Sequence, residues 1–277
     1  MKIVTDSSCD LTNDMIKDMN ISIVPLTLEV DNKFYVDDDK LDILKYLEAM
    51  KNASSTPKSA CPSPQDFINN YKCDDNDIFA VTISSELSGS YNSAELGKSL
   101  YLEDAPHKNI FVFNSKCASA GQTLIALKLH ELIKNNFSFD QIVTSTNKYI
   151  EELKTIFLLD NVGHLAKNGR LKHIAAKLVT VLNLKFILWA KDDGSIGYID
   201  QARGYKKAFT KFVNSIGKEG KNLEDKVLAI SHCNCLDRAL AFKEAAMKKY
   251  NFKEIIIVQT KGLSSTYADQ GGLVIAF

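Results

Sequence analysis

Residues 78–101 constrain the fold of this chain more than any other stretch: an apolar strand pattern, IFAVTI, runs straight into SSELSGSY and then into a helical pattern. A strand ending in Ser84, Ser85, Ser88, Gly89 and Ser90 at a helix start gathers hydroxyls, backbone N–H groups and the positive end of a helix dipole at one point. Such a point can hold an anion without a fixed positive charge. Gly89, lacking Cβ, lets the backbone approach a ligand or take φ > 0. The plainer alternative is that Ser88 or Ser90 only caps the helix.

The same grammar occurs twice more. Residues 2–5 form a short apolar strand ending in Asp6, Ser7, Ser8 and Cys9, with Asp10 opening a helical stretch over 11–19. Residues 110–113 form another, ending in Asn114 and Ser115 ahead of a helical run over 119–135. Three strands that end in small polar residues and turn into helices predict a parallel α/β sheet with its three loops on one edge. In such sheets ligands bind outside the carboxyl ends of the strands.

With 277 residues, of which 45% are hydrophobic, the chain can bury a sizeable core and is expected to make two domains. Its 34 basic and 34 acidic residues balance, so no global field favours nucleic acid or an anionic membrane. The longest apolar stretches are strand-sized, so no integral membrane segment is expected. Met1 leads directly into the first predicted strand, so no signal peptide is expected. Six cysteines without disulfide-framework spacing fit a reducing, cytoplasmic setting.

Strands are predicted over 23–30 and 33–36, a helix over 41–51, and a long loop over 52–66, which holds three of the five prolines. Helices follow over 119–135 and 138–153. Residues 1–158 therefore read as a Rossmann-like, three-layer α/β domain with a parallel sheet, and residues 159–277 as a second α/β domain with a mixed or antiparallel sheet. In the second domain, apolar residues at helical spacing over 171–182 mark one buried face. Strands over 186–190 and 196–199 flank the hairpin turn KDDGS. Strands over 227–231, 254–259 and 272–276 and a helix over 236–249 complete the unit.

Several short motifs lack the company their chemistry needs. Ser55 and Lys58 match S-x-x-K, but its partner motifs are absent. No phosphate loop or dinucleotide fingerprint occurs, and no cofactor is expected. His232, Cys233 and Cys235 have no second ligand pair at zinc spacing, so no metal is expected. His164, His173 or His232 could approach the serine rim in three dimensions, although no G-x-S-x-G elbow is present. Arg170 and Arg203 border turns. They are either solvated surface groups or a pair that grips a phosphate or docks a partner.

These residues also carry a resemblance. ISSELSGSYNSA is similar to the I-S-S-x-L-S-G-T-Y-x-S-A segment of the DegV family of bacterial fatty-acid-binding proteins, and IVTDSSCDL to its I-x-T-D-S-x-x-D-L start. SACPSPQDF resembles the T-S-Q-P-S-P-x-x-F loop, and NSKCASAGQ resembles D-S-x-x-x-S-x-G. KNGRLKHIAAKLVTVLNLKFIL resembles the G-G-R-I segment and L-N-I-K-P-I-L strand. The matches run in order over nearly the whole chain.

The resemblance implies a non-catalytic, lipid-binding protein. A long-chain fatty acid would lie with its tail in the second domain and its carboxylate at the domain junction, presented to a separate ATP-dependent fatty acid kinase subunit that makes the acyl-phosphate. By match to the family motifs, Ser59, Ser88 and, in an ungapped alignment, Tyr267 would hold the carboxylate, with Gly89 beside them. Arg170 and Arg203 would couple to the kinase. The C-terminal STYADQGGLVIAF departs from the family's H-T-G-P-G-A-L-G-I-x-F, placing Tyr267 where the family has histidine. A phenol donates a hydrogen bond but carries no imidazolium charge. The rival class is an enzyme that uses the serine rim directly, as an acyl hydrolase or a phosphoryl-transfer protein.

Overall fold

The computed structural model describes residues 1–171 and 183–277. The predicted helical face over 171–182, with His173, lies almost wholly outside these residues.

Four strands form a parallel sheet: β1 (Lys2–Asp6), β2 (Ile21–Val24), β6 (Asp77–Thr82) and β7 (Asn109–Asn114), in the order β2-β1-β6-β7. Period-2 alternation splits their side chains between two covers. Ile3, Phe79, Val81 and Phe113 face α1 (Asn13–Asp18), α5 (Ala120–Lys134) and α6 (Phe139–Glu152). Val4, Ile78, Ala80 and Val112 face α3 (Pro64–Tyr71) and α4 (Ser90–Asp104). This is the expected three-layer arrangement. Because β1, β6 and β7 are adjacent and parallel, their three polar loops share one rim.

The predicted strand over 23–30 is two strands. Pro25 has no N–H to continue the ladder, and β3 (Thr27–Val30) leaves the parallel sheet for a small antiparallel one with β4 (Lys33–Val36) and β5 (Lys58–Ala60). The segment over 52–66 is likewise not all loop. β5 pairs Ser59 opposite Leu28, and α3 starts at Pro64 behind a Ser63–Asp66 capping box. A three-residue strand is too short to show periodicity. Helix α2 (Ile43–Lys51) lies between these features, capped by Asp42.

A six-stranded mixed sheet follows, ordered β10-β9-β8-β13-β11-β12, from β8 (Thr155–Leu159), β9 (Leu184–Ala190), β10 (Ile196–Arg203), β11 (Val227–His232), β12 (Glu254–Gln259) and β13 (Leu273–Ala276). β8, a buried run that shows no alternation of its own, pairs antiparallel with both β9 and β13. The β9–β10 hairpin turns where the KDDGS signature places it, with Gly194 at φ +85°. One face of the sheet packs on α8 (Tyr205–Glu219) and α9 (Leu236–Lys249). The other meets α5 through Ala120 and Leu124. Helix α5 is therefore enclosed between the two sheets, and residues 120–126 are all buried. Two short helices, α7 (Gly163–Lys167) and α10 (Gly262–Ala268), close the junction.

Candidate functional site

At the junction, between the serine rim and the inner face of the six-stranded sheet, lies a cavity with about 820 Å³ of unfilled space, the solvent at its mouth included. Leu26, Ile83, Phe157, Leu159, Ile196 and Val274 are among the side chains that make its lining mainly apolar. Ser59, Ser88, Tyr267 and Arg170 also line it. Arg170 is the single charged side chain among the described lining residues.

Each polar group is delivered by a different element. Ser59 rides on β5, whose approach is fixed by Asp31: its carboxylate accepts hydrogen bonds from the backbone N–H and hydroxyl of both Ser54 and Ser55, which hold it down at a pKa of about 2. The Ser59 hydroxyl lies 2.9 Å from the Tyr267 phenol oxygen on α10. Arg170 donates from Nε to the Leu87 carbonyl at 3.2 Å and from Nη1 to the Asn168 carbonyl at 2.6 Å. Its guanidinium centre sits 5.6 Å from the Tyr267 ring centroid, within cation–π range. The Ser88 hydroxyl lies 3.0 Å from that of Ser90 and accepts from the Ser90 N–H at 3.3 Å.

The N-cap of α4 is Gly89, which has no side chain to cap with, and Ser88 satisfies only the N–H of Ser90, the first helical residue. Gly89 has φ −72°, an ordinary helical value, and is not among the described lining residues. Its missing Cβ instead leaves room for Cys61, whose sulfur would lie 3.0 Å from a Cβ built there. Arg203 ends β10 opposite Leu184, exposed and outside the described lining.

Three buried carboxylates brace this junction, and the sequence reading gave them no such role. Asp6 accepts from the Ile83 N–H at 2.8 Å and from Gln122 Nε2 at 3.1 Å, tying two rim loops to α5. Asp10 accepts from the Ser119 hydroxyl at 2.5 Å and from the Lys261 N–H at 2.7 Å. Asp37 accepts from the N–H groups of Gly262 and Leu263 at 2.7 and 2.8 Å, at the start of α10. Burial raises all three pKa values, Asp10 to about 7 and Asp37 to about 6. The sequence signals for Asp6 and Asp10 are their place in TDSSCD at a strand end and their match to the two aspartates of the I-x-T-D-S-x-x-D-L motif.

Of the histidines named above, His164 and His232 are described, and each bonds to main chain. His164 donates from Nδ1 to the Thr266 carbonyl at 2.9 Å, which steadies α10 just before Tyr267. His232 Nδ1 accepts from the Cys235 N–H at 3.3 Å. Among the described residues no group of three His, Cys, Asp or Glu side chains is placed to hold a metal ion, and no helix is long and apolar enough to cross a membrane.

The whole chain, residues 1–277, matches the model of a family described as "uncharacterised protein, DegV family". A DegV domain-containing protein of Streptococcus gordonii is 38% identical over 278 residues, spanning 100% of this chain and 98% of the relative. A DegV family protein from Ruminococcus gnavus, solved with vaccenic acid, superposes with a TM-score of 0.96 at 40% identity, covering 100% of this chain and 99% of that one. The Streptococcus pneumoniae Fatty Acid Kinase (Fak) B3 protein, solved loaded with linoleic acid, superposes at 0.91 with 33% identity, covering 100% and 98%. Sequence and fold agree from end to end, and the chain belongs to the DegV family.

Proposed function

We propose that this protein binds one long-chain fatty acid in the junction cavity and presents its carboxylate to an ATP-dependent fatty acid kinase subunit. The observation that carries this reading is the lining itself: a mainly apolar interior in which Ser59, Tyr267 and Arg170, the one charged side chain among the described lining residues, are grouped together. That polarity suits an apolar chain bearing one anionic group. Each buried methylene contributes about 0.8 kcal/mol, whereas a carboxylate must meet donors to be buried at all. Ser59, Ser88, Tyr267 and Arg170 supply those donors. Arg170 also supplies the positive charge that the phenol of Tyr267 lacks.

The relatives support the reading, since both solved proteins described above were crystallised with fatty acids and one is named as a fatty acid kinase component. The role we assign is that of a carrier; among the described residues, His164 and His232 each hydrogen-bond to main chain. Arg203, exposed beyond the cavity, is assigned to contact with the kinase.

Organic extraction of the purified protein followed by lipid mass spectrometry tests the proposal. A long-chain fatty acid at near-stoichiometric amount is expected. Protein that is empty and also fails to bind added fatty acid overturns it.

A further inference from the structure

A second cavity, with about 720 Å³ of unfilled space, open solvent included, lies next to the first. Its character is opposite, because Lys116, Glu151, Lys154, Lys191 and Asp192 line it. Three residues line both cavities: Cys117 from the loop after β7, Thr155 at the start of β8, and Ala190 at the end of β9. None of Ser59, Ser88, Arg170 or Tyr267 borders the second cavity. The partition is thus formed by Cys117, Thr155 and Ala190, and the four proposed head-group residues are not part of it.

The partition is built, not incidental. Gly121 of α5 leaves a notch that Cys117 and Thr155 fill; a Cβ built there would lie 2.5 Å from the Cys117 sulfur and 2.6 Å from Thr155 Oγ1. Thr155 is 4% exposed, and its side chain hydrogen-bonds the Cys117 thiol beside it. Ala190, the third member, has the smallest side chain that still carries a Cβ.

We propose that Cys117, Thr155 and Ala190 form the end wall of the acyl-chain cavity and set the longest straight tail the protein holds. This rests on the fatty-acid reading and adds to it a limit on chain length. A tail that stops short of the wall gains roughly fourfold in affinity with each further methylene it buries, the equilibrium equivalent of one methylene transfer. A tail that reaches the wall gains nothing more, because the space beyond is polar and charged.

Affinities of the full-length protein for a homologous series of saturated acids, from decanoic to docosanoic, test the wall. The wild type should gain affinity with length and then stop gaining. Ala190→Leu, which thickens the wall inward, should move that limit to shorter acids; Ala190→Val carries the same test if the larger residue prevents folding. Thr155→Ala, which thins it, should move the limit to longer acids. A limit at the same length in all variants, with fatty acids still bound, overturns the wall and leaves the fatty-acid reading standing. A wild type that binds no member of the series overturns both.

Discussion

The Ser59 hydroxyl and the Tyr267 phenol lie 2.9 Å apart although 208 residues separate them in the chain. The pair joins β5 of the small antiparallel sheet to α10 beside the six-stranded sheet, and both members line the cavity. A carboxylate entering there meets two hydroxyls already held together, so little ordering is left for the ligand to bring about.

Tyr267→Phe removes one donor with almost no change in shape. Fatty acid binding should weaken by about 1–3 kcal/mol, as for a hydrogen bond to a charged acceptor. Tyr267→His should make affinity rise as pH falls through the imidazole pKa, while the carboxylate remains ionised. Titrating the wild type and both variants with one fatty acid at several pH values checks this, and three identical curves would remove Tyr267 from the site.

Ser88→Ala should weaken binding by about 1–3 kcal/mol without loss of cooperative unfolding. Arg170→Ala should weaken it by at least as much and make what remains less sensitive to salt, because Arg170 is the charge in the described lining. Arg203→Ala should leave fatty acid affinity intact and lower acyl-phosphate formation with a cognate kinase. Calorimetric titration beside a kinase assay separates the two arginines; equal losses of affinity would contradict their separate roles.

Asp10 makes stability depend on pH. Burial raises its carboxyl from 3.8 to about 7, so between these values the folded protein binds a proton that the unfolded chain releases. Protonation therefore favours the folded state: the contribution is fully present below 3.8 and is lost as pH rises through about 7. Relative to Asp10→Asn, the wild type should lose stability as pH goes from 4 to 7, measured by denaturant unfolding. Parallel stability curves for the two proteins would rule out this role.

Gly262→Ala should be costly despite its small size. A Cβ there would meet an Asp37 carboxylate oxygen at 2.5 Å and methyl carbons of Leu28 and Leu41 at 2.6 Å each. Overpacking of this kind destabilises by about 1–3 kcal/mol. It also pushes α10 away from Asp37, so the midpoint of thermal unfolding and the affinity for fatty acid should fall together. A variant as stable as the wild type would show that the junction yields easily.

What could be read along the chain was local. Strand, polar loop and helix follow one another within about twenty residues around Ser88, and alternation, capping and turn chemistry act over that range. Those patterns therefore predicted the parallel sheet, its shared rim and the KDDGS hairpin, all of which the structure contains. The family motifs added Ser59, Ser88, Arg170 and Tyr267, which do line one cavity.

What only the tertiary structure decided depends on contacts between distant segments. The residues 155–159 that become β8 have no alternation, and their place in the six-stranded sheet comes from pairing with β9 and β13. Asp6, Asp10 and Asp37 look like ordinary solvated acids until folding removes water from them and leaves backbone N–H groups as partners. Gly89 reads in sequence as a place of close ligand approach or of φ > 0; its φ is −72°, and a Cβ built there would lie 3.0 Å from the Cys61 sulfur. The cavity was invisible for the same reason, since Phe157 or Val274 is as apolar facing a void as facing a neighbour. Composition records how much apolar surface a chain must bury, and only packing decides where it is left unfilled.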